Sequence, residues 1–231
     1  MSATPSPPSR ARLLRFAMAS AAAVVLAHLV DRWAFVHLAD AGLGGSDLGR
    51  MMRVMGFLPL WATAGLALAL HDWPLRAERG TRAALARGVL LLLGAGLGGL
   101  AAELLKLVFR RERPRAHAGE YVFRAWSERP LSTGGLALPS SHALVAWGAA
   151  AVLAHMFPRA RWVWYALAAG CGWARVAAGA HFVSDVVVSC VVGLLVGEGL
   201  WRWHLRRGEE GPGTDGLGRA PGWRRGRASA P

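Results

Sequence analysis

"VLLLLGAGLGGLAA", residues 89–102, decides what kind of chain this is. Fourteen residues pass without a charge or a polar side chain, so no face of a helix here would favour water. "VVVSCVVGLLVGEGLW", residues 186–201, has almost the same character. A bilayer core calls for about 20 mostly apolar residues per helix. Working outward gives six such runs, at 13–30, 52–70, 85–108, 141–157, 161–179 and 182–201. The chain of 231 residues is 54% hydrophobic, with a mean hydropathy of +0.31. The expected fold is all-α: a polytopic membrane protein with six transmembrane helices in a bundle and a site at one membrane face. One unit, 13–207, holds all six. The tails at 1–12 and 208–231 are rich in Pro, Ser, Gly and Arg and read as disordered. No internal repeat and no second domain is visible. The apolar run after Arg15 continues to Val30 without a clear cleavage site, so it reads as a retained first span.

The formal net charge of +13 suggests nucleic acid, but the charges are placed otherwise. Most of the 27 Lys and Arg residues fall at both termini and in the even-numbered connections, the bias expected of cytoplasmic segments. The partner is the bilayer, with no nucleic acid, and the site end faces away from the cytoplasm, at a bacterial inner membrane. Seven cations between Lys106 and Arg129 break the pattern and ask for a local reason. Cys171 and Cys190 differ in depth and read as small apolar packers.

Polar residues at span edges supply that reason. The third run ends in "ELLKLVFRRERPR", with Lys106 and Arg113 seven apart; the fourth begins "LPSSHALV", with Ser140, Ser141 and His142. The fifth ends at Arg175, and the sixth opens at His181 with Asp185 four residues on. Six alternating spans bring all of these to one face by parity alone. Three fixed cations suit a multiply charged anion, above all a phosphate, which arginine forks grip in bidentate fashion. A helix start after Ser140 adds backbone N–H donors. Of two histidines, one can be a nucleophile and the other a proton donor. A carboxylate at i+4 from His181 can hold its ring. A non-catalytic protein that binds anionic lipid headgroups would need the cations alone; the histidines and Asp185 separate the two readings.

These residues also resemble a known family. "KLVFRRERP" (106–114), "PSSH" (139–142) and "ARVAAGAHFVSD" (174–185) are similar, in order and spacing, to the three signatures of the type 2 phosphatidic acid phosphatase superfamily. That group also contains the soluble vanadium haloperoxidases, from which six spans would set this chain apart. The resemblance implies a metal-independent lipid phosphatase without a cofactor, acting on a lipid phosphate or diphosphate. It implies that Lys106, Arg113, Arg175, Ser140 and Ser141 bind phosphate, that His181 becomes a phosphohistidine, that Asp185 orients it, and that His142 protonates the leaving oxygen. The sequence departs from the signatures at Ser141, where the family has glycine, and at Ala174, where it has serine. Phosphatidic acid, phosphatidylglycerol phosphate, undecaprenyl diphosphate and lipid A all present such a group, and nothing in the residues selects among them. Tyr121, Phe123 and Trp126 in the 115–138 loop are candidates for an interfacial anchor. Glu103, one turn before Lys106, is placed to pair with it; Glu198 has no assigned role.

Overall fold

The computed structural model describes residues 9–39, 42 and 45–209; of the expected tails at 1–12 and 208–231, residues 1–8 and 210–231 lie outside them, while 10–12 and 208–209 belong to helices. The described residues form seven principal helices: α1 (Arg10–Leu38), α2 (Asp47–Val54), α3 (Leu58–Asp72), α4 (Thr81–Phe109), α5 (Ser141–Met156), α6 (Arg161–Ala177) and α7 (Val183–Glu209). Helix boundaries follow local chemistry. Ser9, Ser46 and Ser140 cap α1, α2 and α5 through their hydroxyl oxygens, each accepting from a backbone N–H three residues on. Arg110 closes α4 in a left-handed conformation, its N–H donating to the Lys106 carbonyl. Pro158 follows the end of α5.

α1, α4 and α7 are each long and apolar enough to cross a membrane. α2 and α3 meet at 61° and together would make a fourth crossing. α5 is a shorter apolar helix of 16 residues, and α6 has 17. The all-helical character is as the sequence suggests. Among the described residues the count of long spans is three, or four with the bent pair, against the six expected, because the bend at Met55–Phe57 splits one apolar run and two others fold as short helices.

α5 is the centre of the bundle. Most of its length is buried, and it packs against α4, α6 and α7. With lipid outside, apolar side chains gain little by leaving it, so close backbone packing has to hold the helices. Gly94 and Gly148 supply that at the α4–α5 crossing. A Cβ built on Gly148 would fall 2.2 Å from the Gly94 carbonyl oxygen, closer than any side chain tolerates.

Candidate active site

At one end of the bundle, the segment between α4 and α5 is sewn down by buried charge. The Arg110 guanidinium donates to the carbonyls of Arg124, Ala125, Glu128 and Pro130 at 2.5–3.3 Å, and Trp126 covers it at 5.0 Å. Glu112 accepts from Arg124 Nε at 2.8 Å and lies 2.5 Å from His117 Nε2. Both contacts hold its carboxyl below the usual range, His117 contributing most. Short backbone bridges join Arg111 to Phe123 and Glu112 to Leu136. The Ala137 N–H then donates to the Arg111 carbonyl at 2.7 Å. So fixed, the loop aims the Ala137 carbonyl at His181.

His181 Nδ1 lies 2.9 Å from that carbonyl and 3.5 Å from Asp185 Oδ2. A carbonyl only accepts, so Nδ1 must carry the proton, which leaves the lone pair on Nε2. The imidazole is 3% exposed, and burial pushes its pKa below the usual range, against the opposing pull of the Asp185 carboxylate. The sequence assigns the orienting contact to Asp185; here a loop carbonyl makes the shorter one. Asp185 itself is held by Arg111 Nη2 and by the Phe182 N–H at 2.7 Å. The Phe182 contact is the return half of a capping box, with an acidic residue at the third helical position reaching back to the start of α7.

Ser140 is fully buried, and its N–H donates to Ser189 Oγ at 2.9 Å, tying the start of α5 to α7. Ser141 opens α5 without a positive φ, so it carries none of the strain a left-handed position would impose. Its hydroxyl contacts Lys106 Nζ and donates to Glu103 Oε1 at 2.6 Å, while Lys106 Nζ also pairs with Glu103 at 2.9 Å. His142 follows, backed by Gly56: a Cβ on Gly56 would fall 2.5 Å from His142 Cβ. The bend between α2 and α3 thus presses directly on this histidine. Arg175, His181, Arg53 and Lys106 all act on it electrostatically.

Arg111 engages Asp185 and Ser184 through Nη2, although its Nε is buried without an acceptor among the described residues, and Arg113 and Arg175 carry the same unmet donor. Their Nε atoms are buried and have no acceptor among the described residues. Buried guanidinium groups without partners are costly in isolation, and an anion shared between them removes the cost. The structure therefore brings the candidate residues to one end of the bundle. Lys106 arrives already paired, and Arg113 and Arg175 arrive with donors to spare. No group of three or more His, Cys, Asp or Glu placed to hold a metal occurs among the described residues.

Three participants were not visible as such in the sequence. The Ala137 carbonyl is a backbone atom and leaves no residue signal. Arg111 stands in a run of similar residues, "RRER", whose members are told apart only by where the loop turns. Asp31 follows the first apolar run and reads as the edge of a span, yet it is 1% exposed. A carboxylate bordering an apolar run is the one available hint, and the adjacent Arg32 makes it read as an ordinary surface pair. Tyr121, a candidate anchor, instead commits its hydroxyl to Asp31 at 2.6 Å.

The model of the PAP2 superfamily matches residues 87–209, a stretch that contains every one of the candidate residues from Lys106 to Asp185. A protein of Rhizobium johnstonii (strain DSM 114642 / LMG 32736 / 3841) named lipid A 1-phosphatase is 32% identical over 106 residues, covering 46% of this chain and 43% of the relative. The chain thus aligns with less than half the length of that curated relative. No solved structure matches. With more than half its length under the family model and the family's three signatures gathered at one end of the bundle, the chain belongs to the PAP2 superfamily.

Proposed function

We propose that the protein is an integral membrane phosphatase that removes a terminal phosphate from a lipid phosphate or diphosphate through a phosphohistidine on His181. The observation that carries this reading is the 2.9 Å contact from His181 Nδ1 to the Ala137 carbonyl, which leaves the Nε2 lone pair free beside two arginines with spare donors. Nε2 attacks phosphorus, and the bond from phosphorus to the leaving oxygen breaks. His142, protonated, gives its proton to that oxygen. Asp185 offsets the positive charge that develops on the His181 ring. Water then attacks phosphorus, the P–N bond breaks, His142 recovers a proton, and inorganic phosphate leaves. Arg113 and Arg175 hold the phosphoryl oxygens throughout, with Lys106, Ser140 and the backbone at Ser141 assisting. These fixed cations offset the charge without a metal.

The six-span reading completes the picture. α1, the α2–α3 pair, α4, α5, α6 and α7 would be the crossings. α5 is about 24 Å long at 1.5 Å per residue, short of a hydrocarbon core of about 30 Å. Its polar start would therefore lie below the membrane surface, within reach of a headgroup whose chains stay in the bilayer. The bias of basic residues toward both termini supports a site end that faces away from the cytoplasm. The relative's name makes lipid A one substrate to test, alongside phosphatidic acid, phosphatidylglycerol phosphate and undecaprenyl diphosphate. Phosphate release from these four lipids by the purified protein, with and without chelator, is the deciding measurement. Release that survives chelator is expected. Headgroup binding without release from any of the four would favour the non-catalytic reading, and release wholly dependent on added metal would overturn this mechanism.

A further inference from the structure

We infer that Asp31, on α1 and outside the segment matched by the family model, is a positioning residue for catalysis that acts on His181 through Arg111 and Asp185. The inference rests on the proposed role of His181 as nucleophile.

The observations form a chain across three parts of the fold. Asp31, Arg111 and Asp185 are each 1% exposed or less. Arg111 Nη2 pairs with Asp185 Oδ1 and donates to Ser184 Oγ at 2.8 Å, while Arg111 Nη1 lies 4.0 Å from Asp31 Oδ2. The rings of Tyr121 and Phe182 each lie 5.0 Å from the Arg111 guanidinium, closing it off from solvent. Asp31 Oδ1 accepts the Ser184 N–H at 2.8 Å, and Oδ2 accepts the Tyr121 hydroxyl at 2.6 Å and the Ser184 hydroxyl. The Tyr121 phenol is held well above its usual pKa, by burial first and by Asp31 second, so it stays a donor. Asp31 thereby supplies from another helix the acceptor that the second N–H of α7 needs.

The charge balance gives this arrangement a function beyond packing. Arg111 alone against Asp185 would leave a neutral pair behind His181. A second buried carboxylate restores one net negative charge there. Attack by Nε2 makes the ring cationic, with Nδ1–H still facing Ala137 and Asp185. One net negative charge behind it is what that state requires and the resting neutral ring does not, so the stabilisation is selective for the transition state. The other charged or titratable groups facing this chain are His28 on α1, whose Nε2 lies 3.5 Å from Arg111 Nη1, Arg113 on the loop, His142 on α5 and Arg175 on α6, and none of them supplies the negative charge of Asp31.

The test compares wild type, Asp31→Asn, Asp31→Glu, Arg111→Gln, Asp31→Asn/Arg111→Gln and His181→Ala, purified in detergent. Phosphate release from lipid A and from phosphatidic acid in mixed micelles is followed from pH 4 to 9, with thermal unfolding recorded for each variant. Asp31→Asn should lower kcat by roughly 10- to 100-fold with KM changed less than about threefold. It should also move the acid limb of kcat/KM to lower pH, because removing a negative charge makes the imidazolium harder to form. Asp31→Glu should restore most of the rate. In the Arg111→Gln background, Asp31→Asn should cost far less than it does alone. A purely capping role would lower thermal stability and leave the acid limb and kcat of the folded fraction in place, and that result overturns the inference. Should Asp31→Asn fail to fold, the acid limb and kcat of Arg111→Gln decide: wild-type values in both overturn it. Full activity in His181→Ala would sink the nucleophile assignment and this inference with it. A dead His181→Ala beside a wild-type Asp31→Asn would sink the inference alone.

Discussion

The two ends of the bundle are built from the same residue types and used differently. At the end away from the site, His155 Nε2 lies 2.8 Å from Glu198 Oε2, and Arg202 Nε donates to the other oxygen at 2.6 Å. Trp201 stacks on His155 with rings 6° apart. Asp72 takes both Arg87 Nε and Nη2 at 2.6 Å. These donors have found acceptors, so that end is a set of closed pairs that fix α3, α4, α5 and α7 relative to one another. At the site end, Arg111 gives Nη2 to Asp185 and Ser184, while the Nε atoms of Arg111, Arg113 and Arg175 are all buried without an acceptor among the described residues. A histidine, a carboxylate and arginines are therefore not diagnostic by presence. What distinguishes a site is the donors left over once the internal pairs are counted.

The largest break in this comparison should come from the two histidines. His181→Ala is expected to abolish phosphate release, a loss of at least about 10⁴-fold, since it removes the proposed phosphoryl acceptor and leaves His142 in the role of proton donor. His155→Ala should leave kcat within a few-fold of wild type while lowering the unfolding temperature, because it loses only its pair with Glu198 and its stack on Trp201. Steady-state rates and thermal unfolding in the same detergent separate the outcomes. Equal loss of activity in both variants would mean that the contrast between the ends is false.

The arginines come next. Arg175→Gln should reduce kcat/KM by roughly 10²–10³-fold, the usual cost of removing one preorganised donor from a developing anion. Arg202→Gln, at the opposite end, removes a partner of Glu198 whose own side chain is partly exposed, and activity should hold. Retained phosphate release in Arg175→Gln would remove the argument from unsatisfied donors.

How much of this could be read without coordinates divides along physical lines. The apolar runs marked the helices because hydrophobicity alone marks a buried or lipid-facing segment; the ends of α5 and α6 and the start of α7 fall within two residues of the expected ones, whereas α7 runs on past 201 to Glu209. Lys106, Arg113, Ser140, Ser141, His142, Arg175, His181 and Asp185 were legible because spacing and alternating spans bring them to one end. The bend at Gly56 was not, since it depends on the backbone pressing against His142 from another helix. The Ala137 carbonyl and the Asp31–Arg111 link were equally hidden. Both arise from a long loop and from α1 folding back onto the site, and neither periodicity nor parity specifies such contacts.

A smaller effect concerns pH. In the proposed mechanism the neutral His181 ring is the nucleophile, so protonation would switch it off. Burial lowers its pKa from the ordinary 6.5, which keeps the ring neutral further into acid. The acid limb of kcat/KM should therefore fall below pH 6.5, and activity should hold at pH values where an exposed histidine is already mostly charged. An acid limb at or above 6.5 in the wild-type profile would indicate a different titrating group or an open site.

The smallest effect should come from Ser141→Gly, which returns the second signature to the family pattern. Glycine often signals a backbone that an L side chain cannot follow, and then a serine there would be strained. Here Ser141 begins α5 without a positive φ, so relief of strain offers nothing. The hydroxyl has a different consequence. It bridges Lys106 and Glu103 and so holds the ammonium in a closed pair, more like the far end of the bundle than like Arg113 and Arg175. Removing it leaves the Lys106–Glu103 contact at 2.9 Å but frees one donor of the ammonium for a phosphoryl oxygen. Glycine at the first helical turn also costs up to about 1 kcal/mol of helix stability. The two effects oppose each other: KM for the lipid phosphate should drop by no more than a few-fold while the unfolding temperature falls slightly. Glu103→Gln should produce the same fall in KM by another route, since it removes the charge that competes with phosphate for Lys106. If Ser141→Gly instead raises KM tenfold or more, the serine hydroxyl is a substrate contact in its own right, and Lys106 belongs with the open arginines after all.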